Sequence, residues 1–199
     1  MLDLKTGAVM KLLLHICCAP CSSAAVEAWR PEAAQVTGVF FNPNIHPFSE
    51  HQRRYETLLD YAGRIALPLT GEPYYDVTAW LRMVAGRDEK GVRCRPCISQ
   101  RLLHTAELAA ATGFDAFSTT LLISPYQEHE IIQEEGERAA AAAGTTFEYR
   151  DLRPLFRRSL ELSRKAGLYR QNYCGCIYSE AEAAAERARR KSRNADQRA

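Results

Sequence analysis

Seven cysteines fall into three short groups whose spacing is typical of metal binding or dithiol chemistry. The groups are Cys17, Cys18 and Cys21; Cys94 and Cys97; and Cys174 and Cys176. Thiolates bind zinc and iron–sulfur clusters, and two neighbouring thiols can deliver electrons by closing into a disulfide. The sequence therefore predicts that the three groups converge into one metal and redox site.

The first group is expected where a strand ends and a helix begins. Free backbone amides and the partial positive charge of a helix start favour thiolates there. The second group, a Cys-x-x-Cys loop leading into a helix, is typical of zinc, iron–sulfur or dithiol sites. Arg93, Arg95 and Arg101 are placed to offset the negative charge of thiolates. A small structural zinc site made by the first two groups remains an alternative.

The third group is a Cys-x-Cys pair, which can close only into a small, strained and easily reduced disulfide. Gly175 between the two cysteines gives the backbone latitude for this. The pair could equally supply additional metal ligands. Cys17, Cys18, Cys94 and Cys97 together would suffice for a [4Fe–4S] cluster. Cys21 is then left to bind a further metal, to replace a ligand or to take no part.

Apolar runs alternate with helical patterns along the chain. Residues 11–16, 35–41, 114–122 and 146–150 read as strands. Residues 22–29, 49–64, 76–85, 96–111, 128–143, 155–165 and 179–191 read as helices, with serine as the cap of the first. This alternation predicts an α/β fold, a parallel sheet with helices on both faces. Ligands bind such sheets at the carboxyl ends of the strands, where cysteines here replace a glycine-rich phosphate loop.

Composition supports one soluble domain. The 199 residues are 46% hydrophobic and 25% charged, with a net charge of +2. No signal peptide or apolar run of membrane-spanning length is seen, so a cytoplasmic location is expected. We divide the chain into a catalytic domain, residues 1–185, and a basic tail, residues 186–199. The tail could contact phosphates or could be a solvated helix end.

Five motifs in order resemble the QueH family of epoxyqueuosine reductases. They are LHICCAP at residues 14–20, FNPNIHP at 41–47, GVRCRPC at 91–97, STTLLISPY at 118–126 and YRQNYCGC at 169–176. The resemblance spans residues 11–179. It implies a Rossmann-like fold related to nucleotide alpha-hydrolases of the pyrophosphatase type. It also implies cobalamin-independent reduction of the epoxide of epoxyqueuosine in tRNA anticodons, the last step of queuosine biosynthesis.

The resemblance also implies roles for individual residues. Cys17, Cys18, Cys94 and Cys97 match the ligands of an iron–sulfur cluster, and Cys174 with Cys176 matches a redox-active pair. The chain departs from the family at Cys21, where relatives carry an aspartate at a position associated with an additional iron. A thiolate is a softer ligand than a carboxylate, so the role of Cys21 stays open.

An anticodon loop as substrate and an external low-potential electron donor are the implied partners. Loop bases are recognised by being splayed out, stacked and hydrogen-bonded on their edges. The candidate substrate-binding residues are Asn42, Asn44, His46, Tyr126, Gln127, Tyr169, Arg170 and Gln171. Three candidate proton donors are His15, His46 and Tyr126. Two other functions remain open: an iron–sulfur-dependent tRNA sulfur transferase on the same scaffold, and a non-catalytic zinc-binding RNA module.

Overall fold

A parallel sheet of five strands forms the centre of the protein. The computed structural model describes residues 10–196, with side chains to residue 194. The strand order is β3-β2-β1-β4-β5. The strands are β1 (Met10–His15), β2 (Ala33–Val39), β3 (Leu69–Thr70), β4 (Ala116–Thr119) and β5 (Thr146–Phe147). Every neighbouring pair is parallel, so the predicted α/β fold with a Rossmann-like parallel sheet is confirmed.

Within residues 10–196, seven α-helices connect and follow the strands. They are α1 (Ala19–Trp29), α2 (Phe48–Arg64), α3 (Val77–Val84), α4 (Cys94–Ala111), α5 (His129–Ala143), α6 (Phe156–Lys165) and α7 (Ile177–Asp196). Residues 186–196 of the predicted basic tail belong to α7, and residues 197–199 lie outside the described residues. In the part of the chain that the structure describes, no helix is both long and apolar enough to cross a membrane.

The core lies between the sheet and its helices. Leu12, Leu13 and Leu14 of β1 are fully buried, as expected for a central parallel strand covered on both faces. Phe117 of β4 and Leu102 of α4 join the same apolar cluster. Burying this surface supplies the main driving force for folding. The core therefore fixes β1 and β4, from whose carboxyl ends the first cysteine group and its threonine neighbours emerge.

Two helices that carry cysteines, α1 and α4, begin earlier than the sequence predicts. The predicted serine cap is wrong, because α1 begins at Ala19, three residues before Ser22. The Ser22 and Ser23 hydroxyls instead donate back to the carbonyl oxygens of Ala19 and Pro20. Helix α4 begins at Cys94 rather than residue 96, so Cys94 and Cys97 share its first turn. The early starts place Cys21, Cys94 and Cys97 in the first turns of α1 and α4, which fixes their spacing in three dimensions.

Two predicted strands are shorter than their apolar runs. Residues 114–122 yield only β4, because the chain turns at Thr120 into a 3-10 helix over Thr120–Ile123. The Thr119 hydroxyl accepts a hydrogen bond from the backbone N–H of Leu121 and caps that turn. Residues 146–150 contribute only Thr146 and Phe147 to the sheet edge. The apolar residues after β4 are therefore buried in a 3-10 helix next to the site rather than in a strand.

Candidate metal and redox site

The first cysteine group lies at the carboxyl end of β1 and forms a compact cluster of sulfurs. The Sγ atoms of Cys17, Cys18 and Cys21 all lie within 4.8 Å of one another, and those of Cys17 and Cys18 are 3.7 Å apart. Cys18 caps α1 and is buried, whereas Cys17 and Cys21 are half-buried. The first turn of α1 and the two residues before it therefore bring three thiols close together.

The three thiols of this cluster interact strongly with one another. Hydrogen bonding with Cys18 raises the pKa of Cys17 to about 11. Burial opposes ionisation of Cys18, but hydrogen bonds from Cys17 and Cys21 and the charge of Arg54 bring its pKa well below the ordinary value. Hydrogen bonds to Cys17 and Cys18, together with burial, raise the pKa of Cys21 well above it. Of the three thiols, Cys18 is therefore the one whose thiolate form its surroundings favour most.

Residues of the turn after β4 hydrogen-bond to the cysteine cluster and to His15. The Thr120 hydroxyl lies 3.1 Å from the Cys17 backbone N–H, which donates to it, and 3.3 Å from Cys17 Sγ, to which it donates. The His15 ring bridges Thr119 Oγ1, at 2.8 Å, and the carbonyl oxygen of Phe41, at 3.1 Å. Since a carbonyl only accepts, His15 Nε2 carries the proton and Nδ1 accepts from Thr119. Both ring nitrogens are engaged, which gives His15 a structural part in the site.

The second cysteine group, in the first turn of α4, packs close to the third group. Cys97 and Cys176 are buried in a small apolar cluster with Trp80 and Val84. Burial raises the pKa of Cys97 to about 11, and nearby Cys174 and Cys176 raise it as well. Burial and the same two neighbours raise the pKa of Cys94. The second and third groups are therefore electrostatic neighbours across about 80 residues of sequence.

The third group occupies a loop that α2 holds in place. Arg54 is fully buried, and its Nη1 and Nη2 donate to the carbonyl oxygens of Cys174, at 2.8 Å, and Tyr173, at 3.3 Å. Glu50 receives a hydrogen bond from Arg54 Nε at 2.7 Å and another from the Tyr169 hydroxyl at 2.7 Å. This network anchors both ends of the segment that carries the Cys-x-Cys pair.

A large cavity opens beside these cysteines. Its volume is about 760 Å³, and Cys17, Cys21, Cys174 and Arg101 all line it. The Gln127 amide donates to Cys174 Sγ at 3.3 Å, and the Gln171 amide donates to Cys18 Sγ at 2.9 Å. Helices α6 and α7 close the far side through Phe156, Leu160, Glu186, Arg189 and Arg190. The cavity thus gives a ligand access to thiols of the first and third groups.

Most of the predicted substrate-binding residues line this cavity. They are Asn42, Asn44, Tyr126, Gln127, Arg170 and Gln171. Asn42 and Asn44 are buried, and their Oδ1 atoms accept no hydrogen bond from the described residues. Tyr126 is 73% exposed at the rim. The cavity therefore offers acceptors at its floor and an aromatic ring at its mouth.

His46 and Tyr169 lie outside the cavity lining and support the Cys-x-Cys loop instead. The His46 backbone N–H donates to the Gly175 carbonyl oxygen at 2.8 Å. The Tyr173 hydroxyl donates to the His46 carbonyl oxygen at 2.5 Å. The ring of His46 packs edge-on against Trp80, with ring centroids 4.6 Å apart. Among the three predicted proton donors, only Tyr126 reaches the cavity.

The donor set of the first group fits a thiophilic metal. Thiolates bound to one tetrahedral metal at about 2.3 Å lie roughly 3.8 Å apart, close to the separation of Cys17 and Cys18. Within the described chain, these three cysteines are the sole group of three or more potential ligands this close together. Soft sulfur donors select zinc, copper(I) or iron–sulfur clusters over hard cations. Cys94 and Cys97 stand outside this trio.

Arg54, Glu50 and Thr120 contribute to the site although the sequence analysis did not single them out. The carbonyl partners of Arg54 lie about 120 residues away, and nothing near Arg54 in sequence indicates them. Thr120 does lie in one of the five motifs, directly after β4, where parallel sheets place their functional residues. That position is the signal that could have identified it.

Comparison with known proteins agrees with this picture. A family model described as epoxyqueuosine reductase QueH matches residues 12–182. The chain is 40% identical over 172 residues to the epoxyqueuosine reductase QueH of Dehalococcoides mccartyi, covering 86% of this chain and 93% of that protein. It is 36% identical over 176 residues to the Haemophilus influenzae protein of the same name, covering 85% and 71%.

Among solved structures, the fold resembles a predicted subunit of tRNA methyltransferase from Methanocaldococcus jannaschii. The TM-score is 0.52 at 10% sequence identity, and the match covers 78% of this chain and 75% of that one. At this identity the likeness concerns the fold alone.

Proposed function

This chain belongs to the QueH family of epoxyqueuosine reductases, and we propose that it reduces the epoxide of epoxyqueuosine in tRNA anticodons to give queuosine. The observation that carries the proposal is the cavity of about 760 Å³ into which thiols of the first and third cysteine groups open. A volume of several hundred cubic ångströms admits a modified base taken out of its stack. The reducing groups and a space for the base thus adjoin.

We propose that the resident cofactor is a [4Fe–4S] cluster. Cys17, Cys18, Cys94 and Cys97 would hold it, and Cys21, in the same trio of sulfurs as Cys17 and Cys18, would hold an additional iron. When bound, such a centre supplies one-electron transfer and a Lewis acid for the epoxide oxygen. The soft, all-sulfur donor set of the first group supports this assignment.

Cys174 and Cys176 are the proposed source of the two electrons. Converting an epoxide to an alkene takes two electrons and two protons and releases its oxygen as water. Two thiols that close into a disulfide release two electrons and two protons, so the exchange balances. An external low-potential donor must then return two electrons and two protons to the disulfide. Cys174 lies at the cavity wall, where the Gln127 amide donates to its sulfur.

The cavity floor is proposed to read the substrate by hydrogen bonding. The free Oδ1 atoms of Asn42 and Asn44 can accept hydrogen bonds from hydroxyl or amine groups of the modified base. A buried acceptor that stays unpaired is costly, so a ligand that donates to it gains affinity and specificity. Tyr126 at the rim can stack on a neighbouring base. Gln127, Arg170 and Gln171 complete the polar lining.

Positive charge along α7 is proposed to contact the tRNA backbone. Residues 186–199 carry six basic and two acidic side chains, and Arg189 and Arg190 face the cavity. Phosphate contacts position a nucleic acid without reading its sequence. Action on tRNA would fit the expected cytoplasmic location.

The test is a conversion assay under anaerobic conditions. The cluster-loaded protein is given tRNA that contains epoxyqueuosine and a low-potential reductant, and the nucleosides are analysed by mass spectrometry. We expect queuosine to accumulate over many turnovers. A protein whose iron and sulfide content confirms a loaded cluster, yet which forms no queuosine, would contradict the proposal.

The same preparation separates the other two functions. A non-catalytic zinc module would be colourless and hold stoichiometric zinc after anaerobic purification. A sulfur transferase would need ATP and would leave a thiolated base in the tRNA. The chain carries no glycine-rich phosphate loop after β1, which argues against the second of these.

A further inference from the structure

Three arginines are buried in the described part of the chain, and one of them differs from the other two. Arg54, Arg93 and Arg101 are 1%, 2% and 3% exposed. Arg54 pairs with Glu50 at 2.7 Å, and Arg93 pairs with Glu182 at 2.5 Å. Within the described residues, no carboxylate lies within 4.0 Å of the Arg101 guanidinium. Arg101 is thus a buried cation without an acidic partner.

The hydrogen bonding of Arg101 is also incomplete. Its Nε donates to the carbonyl oxygen of Cys97 at 3.0 Å, and this is its one side-chain hydrogen bond to the described residues. A guanidinium carries five N–H donors, and its charge is not removed by deprotonation in proteins. Burying such a group is costly unless an anion and further acceptors meet it. No guanidinium nitrogen of Arg101 is among the buried unpaired atoms of the described residues, so its remaining donors open to the cavity, where an anion can meet them.

The groups around Arg101 that can become anionic are the cysteines, as thiolates bound to metal. In that form Cys97, Cys174, Cys17 and Cys94, which come from all three cysteine groups, act electrostatically on Arg101. The guanidinium also lines the cavity that Cys17 and Cys174 line. The positive charge of Arg101 also acts on His15 and helps to keep that histidine neutral. Arg101 is therefore the shared neighbour of the three groups.

We propose that Arg101 is the counter-charge of the metal centre, a positioning residue whose guanidinium balances the negative charge of the cysteine thiolates and the cluster they hold. This inference rests on the proposed function. Arg93 and Arg95 already have acidic partners that offset their charge. Arg93 pairs with Glu182 at 2.5 Å, and Arg95 pairs with Glu134 at 2.7 Å and Glu135 at 2.9 Å. A fixed positive charge beside a redox centre favours its more negative, reduced state.

The test compares variants in two measurements that need no tRNA. The variants are Arg101→Gln, which removes the charge; Arg101→Lys, which keeps it; and Arg164→Gln, which removes an exposed charge on α6. The first measurement is the midpoint potential of the cluster-loaded protein. We expect a shift to more negative potential in Arg101→Gln, a smaller shift in Arg101→Lys and none in Arg164→Gln.

The second measurement is thermal unfolding with and without the metal centre. An unpaired buried cation does not stabilise the metal-free fold, so metal-free Arg101→Gln should melt at or above the temperature of the unaltered protein. The gain in melting temperature on loading should be at least halved in Arg101→Gln and retained in Arg101→Lys. Loss of that gain in melting temperature would support the role even if Arg101→Gln binds too little cluster for its midpoint potential to be measured.

Two results would overturn the proposal. In the first, cluster-loaded Arg101→Gln has the same midpoint potential as Arg164→Gln and gains as much melting temperature on loading as the unaltered protein. The other is a metal-free Arg101→Gln protein that is unfolded, since Arg101 would then act as an ordinary core residue. A failure of the proposed function would look different. The variants would then show these shifts, but the unaltered protein would leave epoxyqueuosine in tRNA unchanged.

Discussion

The guanidinium of Arg54 donates a 2.8 Å hydrogen bond to the carbonyl oxygen of Cys174, across 120 residues of sequence. This bond ties the Cys-x-Cys loop to α2, while Glu50 fixes the guanidinium from the other side. Fixing the loop places Cys174 at the cavity wall. Arg54 therefore positions the proposed redox residue Cys174 through its backbone carbonyl oxygen rather than through its sulfur.

Replacing Arg54 by lysine should loosen this loop. Lysine keeps the charge but cannot reach Glu50 and two carbonyl oxygens at once. Two lost charged hydrogen bonds should lower the free energy of unfolding by about 3 kcal/mol, and epoxide reduction should fall. Denaturant unfolding and the conversion assay check this. Arg64→Lys is the matched control, because exposed Arg64 also pairs with a carboxylate and donates to a carbonyl of another segment, that of Ala166. Because Arg64 is exposed, this change should cost much less stability than Arg54→Lys. Equal losses in both variants would contradict the role of Arg54.

A methyl group at Gly175 should disturb the Cys-x-Cys pair. A Cβ there would lie 3.0 Å from both Asn44 Nδ2 and Ile45 Cγ1, and the backbone has a φ of +158°. We expect Gly175→Ala to fold but to lose most epoxide reduction. Gly144→Ala is the control, because Gly144 also has positive φ, +70°, with nothing near its added Cβ. It should lose roughly 1 to 2 kcal/mol of stability and keep its activity. Activity retained by Gly175→Ala would show that the loop tolerates displacement.

Stability should fall in acid partly because of His15. Burial is the largest cause that lowers the pKa of this histidine from 6.5 to about 4. Between these values the unfolded chain binds more protons than the folded one, so the free energy of unfolding decreases as pH falls. The contribution amounts to about 3 kcal/mol between pH 6.5 and 4. His15→Gln keeps a donor towards Phe41 but does not titrate, so its stability should depend less on pH by that amount. Parallel pH profiles for the two proteins would contradict the assignment.

Arg189 should contribute to tRNA binding through charge alone. In Arg189→Gln, the slope of log affinity against log salt concentration should fall by roughly 0.7 to 0.9, the value for one phosphate contact. Binding of tRNAs with different anticodon sequences should weaken uniformly. Arg164→Gln on α6 provides the control with equal loss of net charge. Identical salt slopes in both variants would remove α7 from the tRNA-binding surface.

The sequence pattern was sufficient for the fold and for the place of the first cysteine group. The apolar run of β1 ending before Cys17 predicts a parallel strand whose carboxyl end carries the site. Helix starts were less predictable, since α1 and α4 both begin earlier than their polar patterns suggest. Once α4 begins at Cys94, Cys97 and Arg101 follow at helical spacings of three and seven, on the same face.

Long-range polar contacts could not be read from the sequence. Arg93, Arg95 and Arg101 look equivalent there, and only the fold shows that the first two meet carboxylates of α7 and α5. The contacts of Arg54 and Glu50 likewise depend on which loop packs against α2. Side chains choose such partners through tertiary packing, for which local pattern carries no signal.

A single-turnover reaction tests most directly whether the three cysteine groups act as one reducing site. The loaded protein is reduced, freed of external reductant and mixed anaerobically with tRNA that contains epoxyqueuosine. Free thiols are then alkylated, and both the nucleosides and the cysteine peptides are measured by mass spectrometry. We predict up to one queuosine per chain, with matching loss of alkylation at Cys174 and Cys176 together. Queuosine formed while both of these thiols remain free would contradict the account.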